Sequence, residues 1–368
     1  MIKKLLQKIF KKISYFFFSI IYGKIDSSIK SNEDKRIEVK FFEINENLKY
    51  KIYKINSGRL YTDRIHDTAA ILDNKIIDGA SFQLRDNNYS EISRNSVFEK
   101  GTPRILKKIN GTVLSLLTGG GGNDNYWHWL YDVLPRIKLS EKFKSIDQID
   151  FFLAPSIKKK FQKQTLQELN INNKKILSSE DYRHIKANEL IVTNHPYILS
   201  DNSHTDAQKI PEWIIEWLKK NFLKNSNNKK NNYPKKIFID RSDSKASLSQ
   251  FRSLVNEDEV KNYLEKKGFA SVKLNDLDFL EQVYFFNNAD CIVGLHGAGF
   301  ANLAFCKGNT KVIEFRMSKT GKVIENLALK NKLRFDSIVS EPESHNIDKH
   351  MGHIKISLNV LEKKISDI

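Results

Sequence analysis

The stretch Cys291-Ile-Val-Gly-Leu-His-Gly-Ala-Gly-Phe-Ala-Asn302 constrains this chain more than any other part of it. An apolar run of strand length passes straight into His296-Gly297-Ala298-Gly299, and small and apolar residues with helical character follow. Glycine and alanine let a ligand approach the backbone, and N–H groups at a helix start attract an anion such as pyrophosphate. A tight turn with His296 satisfied by backbone is the plainer reading of the same residues. Around it the second half alternates regularly. Strands are expected at Ile237–Ile239, Ala270–Leu274, Cys291–Leu295 and Lys311–Phe315, with helices at Asn256–Lys267 and Asp278–Asn287. Strands spaced by such helices imply right-handed crossovers and a parallel sheet, whose ligands sit at the carboxyl ends of the strands.

At 368 residues the chain exceeds one ordinary core, which favours two domains. The first half reads as short β-type runs from Lys49 to Arg85, a β run from Gly111 to Leu117, and a loop Thr118-Gly-Gly-Gly-Gly-Asn123. A helix over Tyr126–Leu139, a strand at Asp150–Leu153, a helix over Ser156–Leu169 and a strand at Glu189–Thr193 follow. The class is α/β. Residues 1–30 form a helical extension, 31–224 the N-terminal domain, 225–236 a Lys/Asn-rich linker and 237–368 the C-terminal domain, whose last helix is a candidate to pack back on the first lobe.

Net charge is +17, but the lysines are scattered among Asn and Ile rather than clustered with arginine, which argues against nucleic acid as the partner. Two cysteines, Cys291 and Cys306, are too few for a disulfide framework and suit a reducing compartment. At the N-terminus, Ile2, Leu5, Leu6, Ile9, Phe10, Ile13, Phe16, Phe17, Ile20 and Ile21 fall on one helical stripe. Lys3, Lys4, Lys8, Lys11 and Lys12 take the other side, and no acid precedes Asp26. Residues 1–22 therefore read as an amphipathic helix for an anionic membrane surface. The apolar run is too short to span a bilayer, and no small-residue cleavage site follows it; a signal segment and a helix packed on its own protein are the other readings.

Several residues carry candidate chemistry. His128 and Asp132 are four apart in Asn125-Tyr-Trp-His-Trp-Leu-Tyr-Asp-Val-Leu-Pro-Arg136, so a carboxylate can orient an imidazole fit to act as a base. A capped aromatic helix is the structural alternative, and Pro135 is expected to end or kink that helix. Arg241 ends a strand, with Arg252 eleven residues on, and a guanidinium there can bind a phosphate and offset charge on a leaving diphosphate. Glu314 ends the next strand, well placed for ribose hydroxyls or simply an exposed strand-end charge. Asn256 also reads as an N-cap. Asp276-Leu-Asp278 is the only Asp-x-Asp; Asp278 reads as an N-cap, and no metal is expected.

At these residues the sequence resembles glycosyltransferase family 61, a group including bacterial capsular-polysaccharide enzymes, plant xylosyltransferases and a protein O-mannose N-acetylglucosaminyltransferase. The matching pieces are Asn125 to Arg136, Arg241 with Arg252 and Asn256-Glu257, Glu281-Gln282, and Gly294 to Asn302 with Glu314. The resemblance implies a GT-B architecture of two Rossmann-like lobes facing a cleft, and inverting, metal-independent transfer from a nucleotide sugar; the donor expected is a UDP-sugar and the acceptor a growing cell-surface polysaccharide. With the basic N-terminal helix and the cysteine usage, the expected location is peripheral, at the cytoplasmic face of the inner membrane. Carried over, the donor site comprises Arg241, Arg252, Asn256, Glu257, Gln282, His296, Gly297, Ala298, Gly299, Asn302 and Glu314, with His128 and Asp132 catalytic on the acceptor side. The rival readings are a non-catalytic glycan-binding subunit and a pyruvyltransferase or epimerase of the same architecture.

Overall fold

The computed structural model describes residues 2–46, 48–85, 88–89, 92–118, 124–199, 203–206, 208–223, 233–242, 252–342 and 352–366. Two compact units divide between Asp206 and Ala207.

The first unit opens with α1 (Ile2–Tyr22) and continues through β1 (Ser27–Ile29), β2 (Ile37–Asn45), β3 (Leu48–Asn56) and β4 (Arg59–Thr62). Next come β5 (Asp67–Leu72), β6 (Lys75–Ile77), β7 (Phe82–Arg85), β8 (Asn88–Tyr89), the short α2 (Val97–Lys100) and β9 (Lys107–Ser115). The motif helix runs as α3 (Tyr126–His128), a π turn over Trp129–Val133, and α4 (Pro135–Ser140). After it lie β10 (Phe151–Ala154), α5 (Lys160–Glu168), β11 (Ile176–Ser178), β12 (His184–Thr193) and α6 (Ser203–Asp206). One sheet gathers these strands in the order β1-β6-β5-β4-β12-β9-β10-β11, with β2 and β3 joined through β12, and β7 and β8 through β5.

Strands β12, β9, β10 and β11 pair in parallel, as helical crossovers require. Antiparallel pairing takes over at β12–β3, β12–β4 and β4–β5. The expectation of a Rossmann-like first lobe therefore holds only for its parallel edge. Consecutive short β runs joined by tight turns leave no chain length for crossover helices, so β4–β5 and β5–β6 pair antiparallel, while β1 meets β6 in parallel. The four-glycine loop falls outside the described residues.

In the second unit, α7 (Glu212–Phe222) precedes β13 (Lys236–Asp240), β14 (Ser253–Leu254), α8 (Glu257–Lys266), β15 (Ala270–Lys273) and α9 (Phe279–Asn288). Then follow β16 (Cys291–Leu295), a 3₁₀ helix over Ala298–Phe305, β17 (Lys311–Arg316), α10 (Val323–Lys330), β18 (Arg334–Val339), β19 (His353–Ile354) and α11 (Leu358–Ile365). The main sheet is wholly parallel in the order β15-β13-β16-β17-β18. Counted along the sheet's own strands this is 2-1-3-4-5, a doubly wound order whose switch point lies between β13 and β16.

The boundary lies earlier than the expected linker at 225–236, most of which falls outside the described residues. Its cause is α7, which belongs with the second unit. Phe222 packs edge-on against Phe279 at 4.8 Å and meets Phe305 at 6.3 Å. The last helix likewise stays with its own unit: Leu361 and Ile365 join Val260, Leu264 and Ile354 in one core. An amphipathic helix buries its stripe on the nearest open apolar face, and that face is local here.

Behind β4 sits a buried cation that has no carboxylate partner among the described residues. The Arg59 guanidinium donates to Asn74 Oδ1 at 2.9 Å, Thr102 Oγ1 at 3.0 Å and His184 Nε2 at 3.1–3.3 Å. His184 Nδ1 donates to the Arg104 carbonyl at 2.9 Å, so Nε2 must stay unprotonated to accept from Arg59. Burial pushes the His184 pKa down to about 4, against the pull of the Arg104 carbonyl and with help from Arg59. The folded value lies below the ordinary 6.5, so the unfolded chain takes up the proton first as pH falls. Stability is thus complete above about pH 6.5 and declines until about pH 4, by about 3 kcal/mol in all. Urea unfolding at pH 7.5 and 4.5 should show His184→Gln losing less stability in acid than the wild type; equal losses would refute the assignment.

Candidate active site

In the first unit, the carboxyl ends of the neighbouring strands β9 and β12 carry a histidine–carboxylate cluster. Asn125 starts it: its Oδ1 accepts from the N–H groups of Trp127 at 2.9 Å and His128 at 3.4 Å, capping α3. Pro135 has no N–H to give, and α3 does not continue through it as a regular α-helix. It widens instead, with Leu134 N–H bonding back to the Trp129 carbonyl at 3.1 Å, and restarts at α4. The expected end or kink at Pro135 is therefore a π turn.

Across this turn His128 Nδ1 lies 2.8 Å from Asp132 Oδ2. Two residues that the sequence reading missed complete the group. Tyr197 donates its hydroxyl to Asp132 Oδ1 at 2.5 Å, and His195 Nε2 stands 3.5 Å from Asp132 Oδ2. The backbone N–H groups of Tyr197 and Ile198 both point at His195 Nδ1, at 3.3 and 3.1 Å, which leaves the proton on Nε2, facing the carboxylate. Burial would raise the Asp132 pKa, but His128 and His195 outweigh it and hold the carboxyl well below the usual range. Burial lowers His195, with Asp132 opposing. Burial also works against a charged His128, yet the Asp132 carboxylate prevails and raises its pKa. The His128 side chain is 40% exposed while Asp132 is buried, so one imidazole is presented to solvent and braced from behind. With Nδ1–H donated to Asp132, Nε2 carries the lone pair a general base needs. Arg136, fully buried, donates through Nε to the Asp132 carbonyl at 2.9 Å and through Nη1 to the Thr193 carbonyl at 3.0 Å, tying this helix to the end of β12.

The second cluster occupies the switch point of the parallel sheet. Asp240, buried at the end of β13, accepts from Ser242 N–H at 2.8 Å and meets Lys261 Nζ at 3.1 Å, which fixes the turn that carries Arg241. Arg241 Nη1 donates to the His296 carbonyl at 2.9 Å. Gly297 is extended, so no unusual backbone angle demands glycine there; a Cβ would stand 3.0 Å from Arg241 Nη1, so a side chain would crowd the guanidinium and push it aside. Arg252 shares the neighbourhood: its pKa is pushed down to about 10, by burial first and then by Arg241, with Glu314 pulling the other way. Two cations held close together in partial burial form a site for an anion.

His296 Nδ1 hydrogen-bonds Glu314 Oε1. Burial lowers the His296 pKa despite Glu314, and Arg252 and Arg241 add to the effect. A neutral His296 that gives its Nδ1 proton to Glu314 offers an acceptor at Nε2, suited to a hydroxyl rather than to a phosphate oxygen. Glu314 is completely buried, and among the described residues its Oε2 has no hydrogen-bond donor, the nearest cation being Arg316 Nη1 at 3.8 Å.

Ala298 and Gly299 begin the expected helix, and its geometry is 3₁₀. Phe300, Leu303 and Ala304 of that helix are buried, and its alanines ease the eclipsed i, i+3 packing of this geometry. Asn302 donates to Gln282 Oε1 at 3.1 Å and to the Gly299 carbonyl at 3.2 Å, while Gln282 Nε2 donates to the Leu274 carbonyl at 2.9 Å; the pair braces the turn from beneath. Asn256 exchanges hydrogen bonds with the backbone of Ile356 at 2.9 and 3.0 Å and gives no side-chain cap to α8; both its amide groups are committed to structure. Glu257 opens α8, half-buried. Asp278 forms a capping box with Glu281, as its sequence position suggests. Among the described residues no group of three His, Cys, Asp or Glu side chains is gathered for a metal ion.

A guanidinium-lined turn at the switch point of a parallel sheet, in a chain that also presents a braced histidine, fits an enzyme acting on a phosphorylated ligand. Residues 126–313 match the glycosyltransferase 61 family, and the chain belongs to it. Over 127 residues it is 27% identical to the EGF domain-specific O-linked N-acetylglucosamine transferase of Xenopus laevis, covering 31% of this chain and 24% of that protein. Over 74 residues it is 32% identical to the protein of the same description from Mus musculus, covering 19% of this chain and 14% of the relative. The matches thus span about a quarter of one relative and less of the other.

Proposed function

We propose that the chain transfers a sugar from a nucleotide sugar, held by the second unit, to an acceptor hydroxyl activated by the first. The observation that carries this reading is the meeting of Arg241, Arg252 and the His296–Glu314 pair at the β13/β16 switch point. The two guanidiniums take the diphosphate and offset the charge that grows on it as it leaves. Nε2 of His296 accepts from a hydroxyl of the ribose or the sugar. His128 removes the acceptor proton in a single displacement, so the anomeric configuration inverts. The GT-B-like reading belongs to the same proposal and assigns the donor to the doubly wound unit.

Cationic side chains do the charge-neutralising work here, and transfer is accordingly assigned as metal-independent. The donor assigned is a UDP-sugar, with UDP-N-acetylglucosamine first to be tried because both relatives' names specify that sugar. The acceptor assigned is the growing end of a cell-surface polysaccharide, the substrate class of the bacterial enzymes whose motifs this chain resembles.

Calorimetry with a panel of nucleoside diphosphates and nucleotide sugars, with and without EDTA, tests the reading. One nucleotide should bind in both conditions, and its sugar should pass to an oligosaccharide acceptor. If no nucleotide binds, the donor assignment is wrong. Binding without any transfer or hydrolysis would favour a glycan-binding subunit instead.

A further inference from the structure

Helix α1 leaves its apolar stripe uncovered. Leu5, Ile9, Phe10, Phe16, Phe17 and Ile20 are all between 47% and 73% exposed. A contiguous apolar surface of this kind on a soluble protein marks a contact with something else. Lys8, Lys11 and Lys12 share the helix, and no acidic residue precedes Asp26.

The contacts that fix the helix to the unit are strongest at its C-terminal end. The Tyr22 ring stands edge-on to His184 at 5.0 Å, its hydroxyl accepts from Leu106 N–H at 2.9 Å, and its carbonyl accepts from Arg59 at 3.3 Å. Gly23 then turns the chain with φ +78°, a conformation that disfavours any side chain, and a Cβ there would fall 2.1 Å from Asn74 Nδ2. Tyr22 and Gly23 therefore form a fixed joint that ties the base of α1 to the unit and leaves the stripe outside. Beside that joint, next to Leu106, the exposed residues are Arg104, Ile105 (73% exposed), Lys107 and Lys108, again cations around a bare apolar side chain.

We propose that α1 lies in the headgroup region of an anionic bilayer, with its stripe in the acyl boundary, and that the Arg104–Lys108 segment makes a second contact with the same surface. Among the described residues no helix is long and apolar enough to cross a membrane, so the attachment is peripheral. The lysines decide between occupants: a second copy would bring like charge against like, whereas anionic lipid supplies the opposite charge. An anionic surface of this kind is the cytoplasmic leaflet of an inner membrane. This inference stands whether or not the chain transfers sugar.

Flotation of the whole purified chain with vesicles tests it, using phosphatidylcholine alone and phosphatidylcholine mixed with phosphatidylglycerol. The wild type should float only with the anionic vesicles and release in high salt. Replacing Lys8, Lys11 and Lys12 by glutamine should weaken binding on the order of a hundred-fold, and Arg104→Gln with Ile105→Ser about tenfold. Phe10→Glu with Phe16→Glu should abolish it. These side chains are exposed, so thermal unfolding should be unchanged in every variant. A wild type that stays unbound, or a Phe10/Phe16 variant that floats like wild type, overturns the proposal; so does a dimer that the Phe10/Phe16 variant abolishes in the absence of vesicle binding. Undiminished binding by the Arg104/Ile105 variant overturns the second contact.

Discussion

Replacing His128 with alanine is expected to lower turnover by roughly 10²–10⁴-fold while nucleotide binding keeps its wild-type strength. The imidazole is the one member of its cluster that is both exposed and braced: its side chain is 40% exposed, and Asp132, behind it, is held by Tyr197 and His195. Those two partners remain when His128 is removed, so the fold should persist and the loss should fall on turnover. A base must be neutral to act. Because Asp132 raises the His128 pKa against burial, the acid limb of kcat/KM should lie above the ordinary histidine value of 6.5. Stability runs the other way. A folded pKa raised above the unfolded one gives a contribution fully present below pH 6.5 and lost as pH rises through the folded value, so the pH that best suits folding and the pH that best suits catalysis lie on opposite sides. Asp132→Asn should move the acid limb to lower pH. An unchanged rate in the alanine variant, or an acid limb that Asp132→Asn leaves in place, would remove His128 from the mechanism.

Arg241→Ala is expected to weaken binding of the nucleoside diphosphate about a hundred-fold, the worth of two charge-assisted hydrogen bonds. The guanidinium is already positioned before any ligand arrives, by the His296 carbonyl on one side and the bare Gly297 on the other. Little ordering remains to be done on binding, which is why the loss should be near the full value. Lysine at this position should not restore affinity, because one ammonium cannot bond the carbonyl and engage a phosphate through a planar fork. Calorimetric titration of both variants decides the matter, and undiminished affinity in Arg241→Ala would mean that the diphosphate lies elsewhere.

The second unit was more legible in the sequence than the first, for a physical reason. A strand buried on both faces reads as an apolar run, and Ile237–Ile239 and Cys291–Leu295 are such runs, followed at the ligand end by Asp240 and His296, while Val312 and Ile313 form the apolar centre of Lys311–Phe315. Arg241, His296 and Gly297 followed from that rule, as did the pairing of His128 with Asp132 from helical spacing. What escaped was set by long-range contact. His195 lies 63 residues beyond Asp132 in the chain, on a turn after β12, and only the pairing of β12 with β9 brings the two together. A polar residue just past the carboxyl end of a parallel strand was the available signal. The partner of Asn256 was not legible because its amide is equally able to bind a ligand, cap a helix or hold a distant backbone, and Ile356 lies 100 positions away in sequence. The helix expected after His296 is present, but its 3₁₀ pitch was not legible because composition fixes helical character and not the pitch.

The π turn at Trp129–Val133 gives the first cluster an unusual genetic exposure. A single extra residue is accommodated there, and His128, Asp132 and Arg136 are phased around it. Loss of one residue from that turn would let the helix close into regular bonding, about 1.5 Å shorter and rotated by about 100° between its two ends. Either the link to Thr193 or the link to His195 would then be broken. Point substitutions erode such a site one contact at a time, whereas an in-frame deletion of one codon would dismantle it at once without touching any residue that performs the chemistry.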